Sequence, residues 1–207
     1  MVLADLVRGV VMAILFKKVR TMKPTLNRFF TVFATIVAYL CMATATHAAQ
    51  EGLLMPSAAN DVPDITYVDA EGTPASLSAH KGKLVVLHFW AKWCPPCIDE
   101  LPEMVEMFDA IDPMQKQDLV VLPISLDRDA ETVTQFLKEN DIHLPTLRDE
   151  GSKAMRALEI RGLPSTIIIN REGKEIARRE GVVDWKSTAV RGLILEHLNP
   201  ASELLNN

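Results

Sequence analysis

Cys94 and Cys97, in the run Trp93-Cys94-Pro95-Pro96-Cys97, are the side chains best able to do chemistry. They follow the apolar, β-rich stretch Lys83-Leu84-Val85-Val86-Leu87-His88-Phe89-Trp90 and open a helical pattern. A dithiol at a strand-to-helix junction is a redox device. The helix N-terminus favours a thiolate on the first cysteine, and a thiolate is the species that attacks a disulfide. The second cysteine, one turn along, is placed to resolve the mixed disulfide. A zinc site would need four ligands. The third cysteine, Cys41, lies far upstream, and His47, His80, His88, His143 and His197 form no pair at ligand spacing. No metal is expected. With no Gly-rich phosphate loop, no nucleotide or flavin cofactor is expected either.

The elements that must position the pair are legible around it. Pro95 and Pro96 suit a first helical turn, where a missing N–H costs nothing. The helix should run through about Ala110 on Ile98, Leu101, Val105, Met107 and Phe108, with a kink at Pro102. Leu119–Ser125 reads as a second central strand, and Asp129 as the cap of a helix over Ala130–Asn140. A short helix is expected around Ser152–Leu158, then a hairpin from Ile167–Asn170 and Glu175–Arg179. Asp184 should cap a last helix, Trp185–Leu198, with Val190, Leu193, Leu195 and Leu198 inward. Alternating strands and helices predict an α/β domain.

These residues resemble the thioredoxin superfamily. Trp93-Cys94-x-x-Cys97 is similar to its active-site motif, and Pro102 falls where its kinking proline stands. Arg161-Gly162-Leu163-Pro164-Ser165-Thr166, followed by Ile167-Ile168-Ile169, resembles its cis-proline loop. The resemblance implies that Pro164 is the cis-proline and that the Leu163 backbone pairs with the substrate chain. Taken alone, Gly-x-Pro before a strand is also an ordinary turn. Over roughly residues 55–199 the likeness extends to the TlpA/ResA-like branch of extracytoplasmic thiol–disulfide proteins. It rests on the hairpin pattern Ile65–Pro74, the run Cys97-Ile98-Asp99-Glu100-Leu101-Pro102, and Leu144-Pro145-Thr146-Leu147-Arg148-Asp149. The fold so implied is a thioredoxin fold, a central mixed β-sheet flanked by helices with an added N-terminal β-hairpin.

Three supporting positions have two readings each. His88 stands where thioredoxins carry a buried aspartate; it is either a proton relay or a neutral, hydrogen-bonded core residue. Glu100, one turn from Cys97, either tunes the thiols or is an exposed helix glutamate. Trp93 is either an apolar shield beside the site or simple packing.

The N-terminus bears on compartment. Lys23 and Arg28 precede an almost uncharged stretch, 29–46, that ends in small residues at Thr46-His47-Ala48-Ala49. This is the pattern of a secretory signal peptide, with an uncleaved membrane anchor as the alternative. Met22 is an alternative start for it, with Met1–Thr21 then an upstream misassignment, and Leu40 before Cys41 argues against a lipoprotein. The domain reading is signal or anchor over 1–48, linker 49–62, thioredoxin-like domain 63–199 and a tail 200–207. Residues 1–48 hold six basic and one acidic side chain; the remainder has 16 basic and 26 acidic, a net charge of about −10. That surface argues against nucleic acid or anionic lipid as a partner.

The expected activity is a thiol–disulfide oxidoreductase. The resemblance favours reduction of disulfides in exported proteins, such as apo-cytochrome c or copper-site proteins, with electrons from a membrane thiol donor. A dithiol oxidase or isomerase, a copper-delivery module and a single-cysteine peroxidase on the same fold are the rivals. The chain is expected to be a monomer, exported to the periplasm or held at the membrane.

Overall fold

A computed structural model describes residues 54–199. The signal or anchor reading of 1–48, the Met22 start, Cys41 and the 200–207 tail lie outside the described residues. Eight strands form one mixed sheet: β1 Met55–Asp61, β2 Thr66–Val68, β3 Pro74–Ser76, β4 Leu84–Trp90, β5 Leu119–Ser125, β6 Leu147–Arg148, β7 Ser165–Ile169 and β8 Lys174–Glu180. Their order across the sheet is β1-β8-β7-β4-β5-β6-β2-β3. The helices are α1 Pro95–Asp109, α2 Pro113–Lys116, α3 Ala130–Glu139, α4 Lys153–Ala157 and α5 Thr188–Leu198.

β4 is the centre because it is apolar on both faces, and all seven of its residues are buried. It runs parallel to β5 and antiparallel to β7. Successive side chains of a strand point to opposite faces, and β4 divides accordingly. Leu84, Val86 and Trp90 join one core with Leu101, Met104 and Phe108 of α1, Val133 and Leu137 of α3, and Val190 and Ile194 of α5. Val85, Leu87 and Phe89 join the other, with Leu77, Ala154 of α4 and Leu158. β2 and β3 pair antiparallel, and β2 also meets β6.

The register gathers the site at one end of the sheet. Trp90, the last residue of β4, pairs with Ser125 at the end of β5, and Phe89 pairs with Ser165 at the start of β7. The chain leaving β4 and the chain entering β7 therefore meet at one edge. Pro102 lies inside α1, where it leaves the Ile98 carbonyl without its helical donor, yet the helix continues to Asp109.

Two expectations are corrected. The stretch 49–62 is not all linker: from Met55 it forms β1, an exposed edge strand on β8 that its polar, aperiodic sequence concealed. The last helix begins at Thr188, not Trp185, and its cap is Ser187, whose hydroxyl accepts from the Ala189 amide. Asp184 caps nothing helical; its carboxylate accepts from the Lys186 amide in the preceding turn. Val190 and Leu198 are buried as expected, Ile194 between them is the missed core residue, and Leu193 and Leu195 are half-buried.

Candidate active site

The segment Ala91–Trp93 carries the chain from β4 into α1. It is held at both ends by backbone bonds, from the Leu126 amide to the Trp90 carbonyl (3.0 Å) and from the Cys94 amide to the Ala91 carbonyl (3.1 Å). Between them the Asp127 carboxylate accepts from the Lys92 amide (2.7 Å) and from the Ser125 hydroxyl (2.9 Å). Cys94 is the N-cap of α1, and its carbonyl accepts from the Cys97 and Ile98 amides. Pro95 and Pro96 fill the first turn.

Cys94 and Cys97 are joined by a disulfide, with Cα atoms 5.3 Å apart. Both cysteines are buried but not equally: Cys94 is 6% exposed and Cys97 is 0% exposed. Trp93, directly before the pair, is 65% exposed, so the simple-packing reading gives way to an apolar surface beside the disulfide. The Leu163–Pro164 peptide is cis. Leu163 packs against the core cluster that contains both cysteines. The Pro164 carbonyl accepts from the Gly181 amide (2.8 Å), and Gly181 takes φ +112°, a conformation open to glycine. That turn sends residues 182–187 back toward α1.

His88 and Glu100 come together beneath this edge. Strand alternation puts His88 on the same face of β4 as Val86 and Trp90, the face α1 covers. Both side chains are buried, so Glu100 is not the exposed helix glutamate of the second reading. Glu100 Oε2 accepts from the Val183 amide (2.8 Å), and His88 Nδ1 lies 3.0 Å from the Thr166 hydroxyl. Glu100 Oε1 stands 3.6 Å from His88 Nε2. Burial pushes the Glu100 carboxyl up to about 7; the Val183 amide and the Trp185 indole pull the other way, and the nearby Glu103 charge adds to the rise. Burial drives His88 down to about 3. Both directions favour uncharged groups, so the close approach is not an ion pair near neutrality. Trp185 packs beside the pair, edge-on to His88 at 6.1 Å and tilted on Phe108 at 5.5 Å between ring centres.

The sequence reading missed Asp127, Thr166, Val183 and Trp185. Asp127 follows an apolar strand and reads as an ordinary turn residue. Trp185 carries the apolar pattern expected of the last helix, which hides its place in the turn before that helix begins at Thr188. Among the described residues no cluster suited to a metal ion is found.

Comparison with known proteins now decides the family. The description of the AhpC/TSA family matches residues 58–177, more than half of the chain. The chain belongs to the AhpC/TSA family. The chain is 33% identical to the thiol-disulfide oxidoreductase ResA of Bacillus thuringiensis subsp. konkukian over 121 residues, covering 58% of this chain and 68% of that one. It is 28% identical to ResA of Bacillus subtilis over 152 residues, covering 72% and 83%. Against ResA of Bacillus cereus the chain spans 66% of the relative's length. Of solved structures, the exposed lipoprotein thioredoxin of Streptococcus pneumoniae superposes with a TM-score of 0.54 at 27% identity, over 65% of this chain and 99% of that one. The domain has a thioredoxin fold and the chain is a thiol–disulfide oxidoreductase, in accord with the sequence reading of fold, family and activity.

Proposed function

We propose that this thiol–disulfide oxidoreductase reduces disulfides of exported proteins, with Cys94 as nucleophile and Cys97 as resolving thiol. The observation that supports the assignment is the unequal burial of the two residues: Cys97 is fully enclosed, while Cys94, at the start of the helix, keeps a small exposed surface. In the reduced protein the Cys94 thiolate attacks one partner sulfur and expels the other as a thiolate, which takes up a proton. A mixed disulfide results. Cys97, deprotonated, then attacks Cys94; the partner's second thiolate leaves and the Cys94–Cys97 bond forms. Two electrons pass to the partner, and they are restored by a thiol donor at the membrane. Glu100 is the group near the pair with a pKa suited to exchanging the proton of Cys97.

The partner chain lies against Trp93 and the backbone of Leu163, beside the cis-Pro164 turn. Apo-cytochrome c and copper-site proteins are the substrates proposed, because each needs free thiols before its cofactor is attached. Export rests on the basic-then-apolar N-terminal segment and on the absence of structural cysteines beyond residue 48 other than the redox pair. Whether that segment is cleaved or kept as an anchor, the domain works outside the cytoplasm as a monomer.

The test is the reduction potential of Cys94–Cys97, measured in graded glutathione buffers on the chain from Ala49 onward. A value near that of thioredoxin, about −270 mV, supports a reductant. A value near that of DsbA, about −120 mV, makes the protein an oxidant of exported chains and overturns the direction.

A further inference from the structure

Glu100 Oε1, His88 Nε2 and the Trp185 indole Nε1 are all buried without a hydrogen-bond partner, and the first two face each other at 3.6 Å. The remaining polar atoms of the two groups are engaged, Oε2 by the Val183 amide and Nδ1 by the Thr166 hydroxyl. Leaving two polar atoms unmatched in an apolar core is costly, and a side-chain adjustment of about half an ångström brings them into bonding range. What the pair lacks is a proton between them, and either partner can supply it. A protonated Glu100 donates from Oε1 to an unprotonated Nε2, which leaves the imidazole proton on Nδ1 and donated to Thr166. An ionised Glu100 accepts from an Nε2–H, and then Nδ1 accepts from the Thr166 hydroxyl. A hydroxyl both donates and accepts, so Thr166 serves either arrangement.

We propose that His88 is a positioning residue for Glu100, an imidazole that stays neutral and switches tautomer so that the Glu100 carboxyl keeps a hydrogen bond whether or not it holds its proton. One proton separates the two states and leaves to water or to a cysteine thiolate; the imidazole gains and loses none. The arrangement lets a carboxyl enclosed in the core give up and regain a proton without stranding a charge, which is what proton exchange with the buried Cys97 demands. This inference rests on the dithiol reading for its purpose and not for its geometry.

Glu103, on the same helix, pushes the Glu100 carboxyl up, and it is itself paired with Lys186 Nζ at 2.9 Å. The Val183 amide and the Trp185 indole come from the segment between β8 and α5, and Thr166 from β7. Among the described residues no cation is paired with Glu100. The Val183 and Trp185 N–H groups can only donate, so the neighbour able to accept from a protonated Glu100 is His88 Nε2.

The experiment is a pH titration of the oxidised full chain by nuclear magnetic resonance, with 15N in histidine and 13C in glutamate side chains. The expected result is a His88 that remains neutral from pH 5 to 9, its proton moving from Nδ1 to Nε2 at the same midpoint at which the Glu100 carboxyl ionises. In His88→Leu the carboxyl loses a partner in both states. The charged form loses more, since charge-assisted bonds are roughly twice as strong. The Glu100 midpoint should rise by about one unit, a tenfold change in proton affinity. His88→Gln, whose amide also donates or accepts, should restore most of it. A single tautomer throughout, a charged imidazole, or an unmoved midpoint in His88→Leu overturns the proposal. These readouts use the resting disulfide and no substrate. Failure of disulfide reduction with the tautomer switch intact would therefore count against the function proposed above and not against this role.

Discussion

His88 and Glu100 approach to 3.6 Å inside the core with opposite displacements of their proton affinities, the imidazole down to about 3 and the carboxyl up to about 7. Their effects on stability oppose each other. Glu100 stays protonated in the folded protein where the unfolded chain ionises, so its contribution is complete below about pH 4.5 and is lost as pH rises through 7. His88 stays neutral where the unfolded chain is charged, so its contribution is complete above about pH 6.5 and is lost as pH falls through 3. Between pH 4.5 and 6.5 the two slopes cancel. The expected outcome is that His88→Leu loses roughly 3 kcal/mol across that interval relative to its parent, because Glu100 is then unopposed. Urea unfolding of both oxidised proteins at the two pH values measures it. Parallel pH dependence would show that one of the two groups does not have the protonation state its burial dictates.

Exposure separates the roles of the cysteines. Cys97→Ala should accumulate mixed disulfides through Cys94 when the protein meets an oxidised partner, since nothing remains to resolve them. Cys94→Ala should accumulate few, because Cys97 is shut away from solvent. Non-reducing electrophoresis with mass spectrometry of the bands reads both. Equal trapping by the two variants would reverse or abolish the assignment.

Trp93 presents most of its ring to solvent beside the disulfide, a position that contributes little to the core. Trp93→Ala should change stability by no more than about 0.5 kcal/mol. It should raise KM several-fold for a protein disulfide while leaving a small disulfide such as oxidised glutathione unaffected. Steady-state kinetics with both substrates supply the comparison. An equal loss with each would place Trp93 in the chemistry of the pair and not in docking.

The parts of this fold legible in the sequence are those where local pattern and tertiary demand agree. β4 announces itself as a continuous apolar run because it is buried on both faces, and the Cys-Pro-Pro-Cys turn because its residues suit a helix start and nothing else nearby. β1 was hidden because an exposed edge strand needs no apolar alternation; its pairing with β8 is a backbone matter. The onset of α5 was misplaced because Asp184 and Ser187 are both good capping residues, and Trp185 between them is drawn into the core by Phe108 and His88. His88 and Glu100 were each visible as unusual, but their meeting was not. It depends on the crossing of α1 over β4, which places residues twelve apart face to face, and on Gly181 returning the chain so that the Val183 amide reaches the carboxyl.

Asp127 holds the dithiol loop from the neighbouring strand, and no motif pointed to it. Its carboxylate accepts from the Lys92 amide at 2.7 Å and from the Ser125 hydroxyl at 2.9 Å, while its own amide donates to that hydroxyl at 3.0 Å. The end of β5 thus fixes the backbone two residues before Cys94. Hydrogen bonds to a charged acceptor contribute about 1.5–3 kcal/mol, and partial exposure of Asp127 argues for the lower end. Asp127→Ala should therefore cost about 1–2 kcal/mol in urea unfolding and slow disulfide exchange several-fold, because the Lys92 amide is left without its acceptor and Cys94 loses its fixed approach. Asp127→Asn keeps a carbonyl oxygen at the same place and should recover most of the rate. If Asp127→Ala loses stability but exchanges at the parent rate, the clamp serves the fold alone, and the Cys94 geometry is set by α1 and its two prolines.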